Sequence, residues 1–385
     1  MRIKRICFIS SDPEFLGGIS LYIKNVIDYL KTKKGYDIFW VYNGVKDRVY
    51  KKNGVTFVEL KCPGIYPLDQ ILFNFRVLRF LNKNYFDVIN SHAVWGHWMN
   101  HYKKANKEQR IVHIYHGSTY YFYKSHLRRF GLLKKALISP ILLFSYFIER
   151  PPWKNADKII CVSEHVKKEF EHLYGKRGNL SVIRTGVNLK QFRKVQKEIA
   201  RKKINIPKDV LLGLYVGRGG WHRKGLDRAI KLSKEIYKKR KDYKLIVIGP
   251  DYHKVKRLIK EPFIKYLGII KRDLLPYYYN ASDIFFCFSR YEGGAPILTL
   301  SEAMATESLS ICSEDSQQEI INKNNGVIIN KFDGGDANKI LEILNNKKER
   351  ERIIKASLKT IRGLGVMEWA EKITNTLINK DEKQK

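Results

Sequence analysis

Val216-Gly217-Arg218-Gly219-Gly220-Trp221-His222-Arg223-Lys224-Gly225 joins a strand-like run, Asp209 to Val216, to a helical pattern that starts near Leu226. Glycines let backbone N–H groups approach an anion, and a helix start adds positive potential. Arg218 can grip phosphate oxygens bidentately, and Lys224 adds a point charge. The loop is not a P-loop, because Leu226 and not lysine follows Gly225, nor a dinucleotide fingerprint, because the third glycine is absent. Phosphate binding is the functional reading; a surface turn in a basic protein is the plain one.

The same alternation runs outward in both directions. Ile6 to Ser10 is an apolar run closed by Ser11-Asp12-Pro13, after which Gly17-Gly18 opens a helix from Ile19 to Leu30. Phe39–Tyr42, Thr56–Leu60, Val88–Ser91, Ile111–Tyr115 and Lys158–Ser163 read as further short strands, with helical stretches between most of them. Lys244–Gly249 and Ile284–Phe288 continue the series after Val216. Strands separated by helices predict a parallel sheet covered on both faces. The pattern restarts after the charged stretch Lys190 to Pro207, which predicts two doubly wound α/β domains. Their ranges are 1–190 and 191–360, and a last helix in 361–385, around Trp369, is expected to return to the first domain. Ligands of such sheets lie beyond the carboxyl ends of the strands.

With 385 residues, 44% of them apolar, each half can bury a core. No run approaches the ~20 apolar residues that span a bilayer; the longest uncharged one, Leu137 to Ile148, is broken by Pro140. The basic N-terminus is too short in apolar residues for a signal peptide, so a cytoplasmic location is expected. Cys7, Cys62, Cys161, Cys287 and Cys312 are scattered and odd in number, which argues against a disulfide frame or a zinc site. Lys and Arg number 73 against 38 Asp and Glu, a net charge of +35. Such a surface draws anionic lipid, nucleic acid or polyphosphate, although lysine-rich background usage explains part of it.

Taken together, these stretches resemble the retaining family 4 glycosyltransferases of the GT-B fold, in which two Rossmann-like domains face across a cleft. The second domain of that family opens with a strand, Gly-Arg, and then Lys-Gly six residues after the arginine; Arg218 and Lys224-Gly225 have this spacing. Gly17-Gly18 matches its first glycine loop, and Asp87 to His92 its strand ending in "DVVHAH". Ala156 to Ser163 matches "AD-x-I-x-x-VS", and Arg184 to Asn188 through Phe192 stands where the family has "NGVD…F". Ala281-Ser282-Asp283-Ile284 and Ser301 to Ala305 resemble "ADV" and "LEAMA".

The resemblance implies that Arg218 and Lys224, with Arg223 beside them, hold and stabilise the departing diphosphate, and that the Gly17 and Gly18 backbone lies near the phosphates. It implies that His116 bonds a hydroxyl of the transferred sugar and that Glu302 bonds the ribose. A first glutamate is expected eight positions before Glu302, which is Gly294 here. A bulge at Gly293 and Gly294 is expected to return Glu292 to that place; otherwise backbone N–H groups near Ile297 and Leu298 hold the donor. Glu307 stands where a glycine is usual, and Asp315 to Gln318 replace a glycine turn.

No cofactor and no metal is expected: no Asp-x-Asp motif is present, and the nucleotide diphosphate-sugar, with UDP or GDP left open, is a co-substrate. The expected acceptor is a lipid-linked or cell-surface glycan such as one of lipopolysaccharide. Aromatic and basic residues interleave in Tyr120–Lys124, His126–Phe130, Leu132–Lys135 and Leu68–Lys83, which suits docking on the inner face of the plasma membrane; packing on the sheet is the plain explanation. No nucleic-acid motif is present. A non-catalytic membrane-associated homologue and a nucleotide-sugar epimerase are the rival readings.

Overall fold

The computed structural model describes residues 3–14, 17–65, 67–127, 132–217, 221–249, 255–293, 297–316 and 319–379, residues 126 and 132–138 by their backbone. The chain divides into two compact units, Met1–Thr185 with Met367–Lys385, and Gly186–Val366.

The first unit holds β1 (Lys4–Ser10), β2 (Tyr36–Gly44), β3 (Arg48–Lys52), β4 (Val55–Lys61), β5 (Val88–His92), β6 (Arg110–Tyr115), β7 (Lys158–Cys161) and β8 (Leu180–Val182). They form one sheet in the order β3-β4-β2-β1-β5-β6-β7-β8. β3 pairs antiparallel with β4; the other pairs are parallel. β5 and β6 are buried along their whole length, as strands covered on both faces must be. Helices α1 (Gly18–Lys31), α2 (Leu68–Lys83), α3 (Thr119–Leu127), α4 (Leu132–Asn155) and α5 (Glu164–Tyr174) belong to this unit. In α1, Tyr22, Ile23, Val26, Ile27 and Leu30 form the buried stripe, at the three-and-four spacing of one helix face. β1 lies between β2 and β5, so the winding reverses there and opens a crevice at the carboxyl ends of β1 and β5.

The second unit repeats the plan with β9 (Leu211–Val216), β10 (Tyr243–Ile248), β11 (Ile264–Gly268), β12 (Ile284–Cys287), β13 (Leu309–Ser313) and β14 (Val327–Ile329). Their order is β11-β10-β9-β12-β13-β14, all parallel, with the reversal between β9 and β12. Its helices are α6 (Lys197–Lys203), α7 (Leu226–Lys239), α8 (Leu275–Ala281), α9 (Leu298–Ala305), α10 (Gly334–Asn345) and α11 (Lys347–Arg362). At the amino ends of β9 and β12, Asp283 accepts from the backbone N–H of Leu212 at 2.7 Å and from Arg201 at 2.9 Å, and pairs with Lys197. The hollow there has a volume near 300 Å³ and is lined by four cations and four carboxylates, so it is a structural knot at the end of the sheet away from the ligand crevice.

The last helix, α12 (Val366–Ile378), packs in the first unit, where Trp369 meets Tyr22 edge-on at 4.5 Å. The dividing point falls at Thr185/Gly186 and not at 190, because Val187 and Phe192 are buried in the core of the second unit. Val187 also pairs with the other end of that unit: its N–H donates to Leu364 O at 2.8 Å, and Val366 N–H donates to Val187 O at 2.9 Å. Among the described residues no helix is long and apolar enough to cross a membrane. Cys7, Cys161, Cys287 and Cys312 are buried thiols and Cys62 is half-buried, all unbridged.

Candidate active site

In the second unit the carboxyl end of β9 runs into the glycine loop, and α7 leaves it. Gly225 has φ +75°, and an added Cβ would stand 2.0 Å from Phe288 O, so only glycine lets this turn touch the chain leaving β12. The Arg290 N–H donates to Arg223 O at 2.9 Å, while the Arg290 guanidinium donates to His222 O at 2.5 Å and to Asp227 at 2.7 Å. His222 Nδ1 lies 3.0 Å from the other oxygen of Asp227, and Tyr215 Oη donates to Lys224 O at 3.0 Å. The two loops after β9 and β12 are thereby tied together through backbone carbonyls.

That tie brings Lys224 and Glu292 into an ion pair, with Arg223 Nη1 3.9 Å from the same carboxylate oxygen. The side chains of Lys224 and Glu292 are 16% and 10% exposed, so the pair is largely withdrawn from water and stronger than a surface pair. Two cations face one carboxylate, leaving local positive charge at the carboxyl ends of β9 and β12. Arg218 and Gly294 lie outside the described residues, and with Gly294 part of the expected bulge; Glu292 itself is paired and not solvated. Ile297, with extended backbone, and Leu298 start α9, whose first turn has no side-chain cap.

Glu302, on α9, is fully buried. Arg272 Nη2 donates to Oε1 at 2.5 Å and Tyr279 Oη to Oε2 at 2.9 Å. Burial pushes its carboxyl above the ordinary value, and the two donors pull against that. Glu307 takes φ +61°, the left-handed conformation that a glycine would adopt freely, and its carboxylate pairs with Lys194 at 3.1 Å. Asp315 accepts from both Arg228 nitrogens at 2.8 and 2.7 Å, so this departure is tied to α7.

In the first unit, Gly17 caps α1 through its backbone, Gly18 faces open space, and no acid or capping side chain occupies the first turn. His92 ends β5 and His116 follows β6. Their rings stack at 5.2 Å, with His92 Nδ1 2.9 Å from His116 Nε2. Tyr22 of α1 touches both edge-on, at 5.7 and 4.8 Å. Burial pushes the His116 and His113 rings down to about 3 and His92 well below its ordinary value, the neighbouring histidines adding to the shift at His92 and His113. All three are neutral at pH 7. Glu149, from α4, holds the segment after His116: it accepts from Ser118 Oγ at 3.1 Å and Thr119 N–H at 2.6 Å.

Sequence reasoning by motif named Lys224, Glu292, Glu302 and His116 as candidates, and the structure sets Arg290, Tyr215, Arg272 and Glu149, which that reasoning did not name, beside them. The missed residues act on backbone carbonyls, on a helix start or on another side chain, and no motif encodes such partners. Phe73, placed on the basic-aromatic surface of α2 by residue type, is buried, whereas Leu68, Ile71, Leu72 and Phe75 are exposed. Among the described residues no cluster of three His, Cys, Asp or Glu could hold a metal ion.

The class that fold and site define is the GT-B glycosyltransferase. Residues 16–191 match the model "Glycosyltransferase Family 4" and residues 196–360 match "Glycosyl transferases group 1", and the chain belongs to this glycosyltransferase family. A curated relative, an uncharacterised glycosyltransferase of Methanocaldococcus jannaschii, is 24% identical over 364 residues, covering 92% of each chain. Among solved structures, sucrose-phosphate synthase from Thermosynechococcus elongatus superposes with a TM-score of 0.80 at 19% identity, over 97% of this chain and 98% of that one. WaaG, a glycosyltransferase involved in lipopolysaccharide biosynthesis, gives 0.77 at 15% identity, over 97% and 100%. Anabaena HepE in complex with UDP and glucose gives 0.71 at 15%, over 97% and 99%.

Proposed function

We propose that this glycosyltransferase moves a hexose-type sugar, with retention of configuration and without a metal, from a nucleotide diphosphate-sugar to a lipid-linked or surface glycan at an anionic membrane. The observation that carries the reading is the Lys224–Arg223–Glu292 cluster at the carboxyl ends of β9 and β12. A diphosphate arriving there brings the negative charge that Glu292 supplies in its absence. Arg218, Lys224 and backbone N–H groups then neutralise the leaving diphosphate, whose own oxygen accepts the acceptor's proton in a front-side displacement. Glu302 bonds the ribose hydroxyls with lone pairs left over, since a carboxylate offers about four; half-exposed Arg272 swings aside to admit them. Relatives solved with UDP and glucose or with UDP-2-fluoro glucose favour UDP as the first nucleotide to try.

Support for the membrane comes from α2. Leu68, Ile71, Leu72 and Phe75 fall at i, i+3, i+4 and i+7, a single apolar stripe turned to solvent, with Arg76, Arg79 and Lys83 following it on the same helix. An apolar stripe beside cations suits the headgroup boundary of an anionic bilayer.

The test is a thermal-shift titration with UDP, GDP, ADP and their sugar conjugates. A ligand at ~100 times its dissociation constant adds about 2.7 kcal/mol, a shift of several degrees. Selective stabilisation by one nucleotide, lost in Lys224→Ala, is the expected result. No shift with any of them in folded protein would favour the non-catalytic homologue, and turnover of donor into a new nucleotide-sugar without acceptor would favour the epimerase.

A further inference from the structure

A chain of three hydrogen bonds runs from the sheet to His116. Asn90, fully buried on β5, donates from Nδ2 to the backbone carbonyl of Val112 at 3.0 Å, its register partner on β6. A carbonyl can only accept, so the amide cannot be turned round, and Asn90 Oδ1 must be the atom facing His92 Nε2 at 2.9 Å. Oδ1 can only accept in turn, so His92 Nε2 carries the proton. In a neutral ring that leaves His92 Nδ1 bare, and it accepts from His116 Nε2–H across 2.9 Å. His116 Nδ1 is then the bare nitrogen, and it has no hydrogen-bond partner among the described residues.

We infer that Asn90 and His92 are positioning residues that lock His116 in its Nε2–H form, so that Nδ1 is presented as a lone-pair acceptor. Resting on the reading that His116 meets the donor sugar, this names what the sugar must offer there: a hydroxyl that donates. A carboxylate or other acceptor-only group in that place would face the lone pair. Nothing on the ring can serve as a general acid, because its one proton is held by His92. Tyr22, edge-on to both rings with its own hydroxyl buried and without a hydrogen-bond partner among the described residues, keeps water from supplying a competing partner.

The test reads ring protonation in the unliganded protein, by two-bond ¹H–¹⁵N spectra of ¹⁵N-histidine-labelled wild type, Asn90→Leu and Asn90→Asp. The His116 and His92 signals are assigned with His116→Gln and His92→Gln. The expected result is Nε2–H at both rings in wild type and Asn90→Asp, where an acceptor still faces His92. In Asn90→Leu both rings pass to a mixture of forms. With whichever nucleotide-sugar the enzyme turns over, kcat in Asn90→Leu falls about tenfold, the worth of one hydrogen bond, while the nucleoside diphosphate binds as before. A proton on His116 Nδ1 in wild type would overturn the inference, as would an unchanged ring spectrum in Asn90→Leu or loss of the Nε2–H form in Asn90→Asp. Because the spectra need no substrate, a locked ring in a protein without turnover would sink the proposed reaction alone, and turnover with an Nδ1–H ring would sink the lock alone.

Discussion

Lys224 stands on a loop whose path is dictated by its neighbours, and its substitution isolates one charge. A well-placed donor to a developing anion is worth roughly 3–4 kcal/mol. Lys224→Ala is therefore expected to lower kcat on the order of 100-fold, and near-normal steady-state kinetics would remove it from the reaction. Glu307 offers an opposite kind of expectation. Its left-handed backbone costs a side-chain-bearing residue roughly 1–2 kcal/mol, and its half-exposed pair with Lys194 returns little. Glu307→Gly should raise unfolding stability by about 1 kcal/mol in urea melts; a loss would mean that the Lys194 contact outweighs the strain. At this scale the sequence was readable where a residue's own chemistry marked it as a candidate. Lys224, Glu292 and His116 sat at strand ends in recognisable company. Arg290 did not, because its partners are the His222 carbonyl and Asp227, which fold and not spacing places beside it.

Strands were legible where their runs are continuously apolar, and fully buried β13, with serines alternating in LSICS, was not named. β1, β5, β6 and β9 are apolar because both faces are covered, and their runs were found to within a few residues. β3, with its exposed edge and the composition RVYKK, carries no such mark, and three-residue β8 and β14 are too short to show a period. Element packing also creates a titration that no motif foretells. Glu149 of α4 is sealed against the start of α3, and burial pushes its carboxyl up to about 7, against the pull of the Thr119, Ser118 and Tyr120 donors. A folded value above the unfolded one, near 4.5, means that the folded state holds the proton more tightly. The stability this gives is full below pH 4.5 and is lost as pH rises through 7, on the order of 3 kcal/mol in all. Glu149→Gln should flatten that part of the profile in urea melts from pH 5 to 8; an unchanged slope would show that Glu149 does not titrate in this range. On α2, Ile71→Asp with Phe75→Asp should abolish co-sedimentation with phosphatidylserine vesicles and leave nucleotide binding intact. Retained sedimentation would overturn the role proposed for α2, and no sedimentation of the wild type would overturn membrane docking itself.

For the molecule as a whole, three neutral histidines in one cluster set an acid limit. His92, His113 and His116 have folded values below the unfolded 6.5, so their contribution is complete above pH 6.5 and is lost on acidification. At pH 5 the loss is about 2 kcal/mol for each of His113 and His116, whose values lie near 3, larger together than the opposing gain at Glu149, and His92 adds in the same direction. The melting temperature should fall steadily from pH 7 to pH 5, and a flat profile would require these rings to be open to water. The two-unit plan was visible in the restart of the strand pattern after Pro207. The point of division was not, because it depends on Val187 finding Gly365, residues nearly half the chain apart. That pairing has a consequence for how such a protein can be rebuilt. The second unit enters and leaves the chain at adjoining residues, which makes it an insert with abutting ends. It can be lifted out as a cassette, and a relative's unit can be spliced in at the same two joints without asking the host sheet to reconnect.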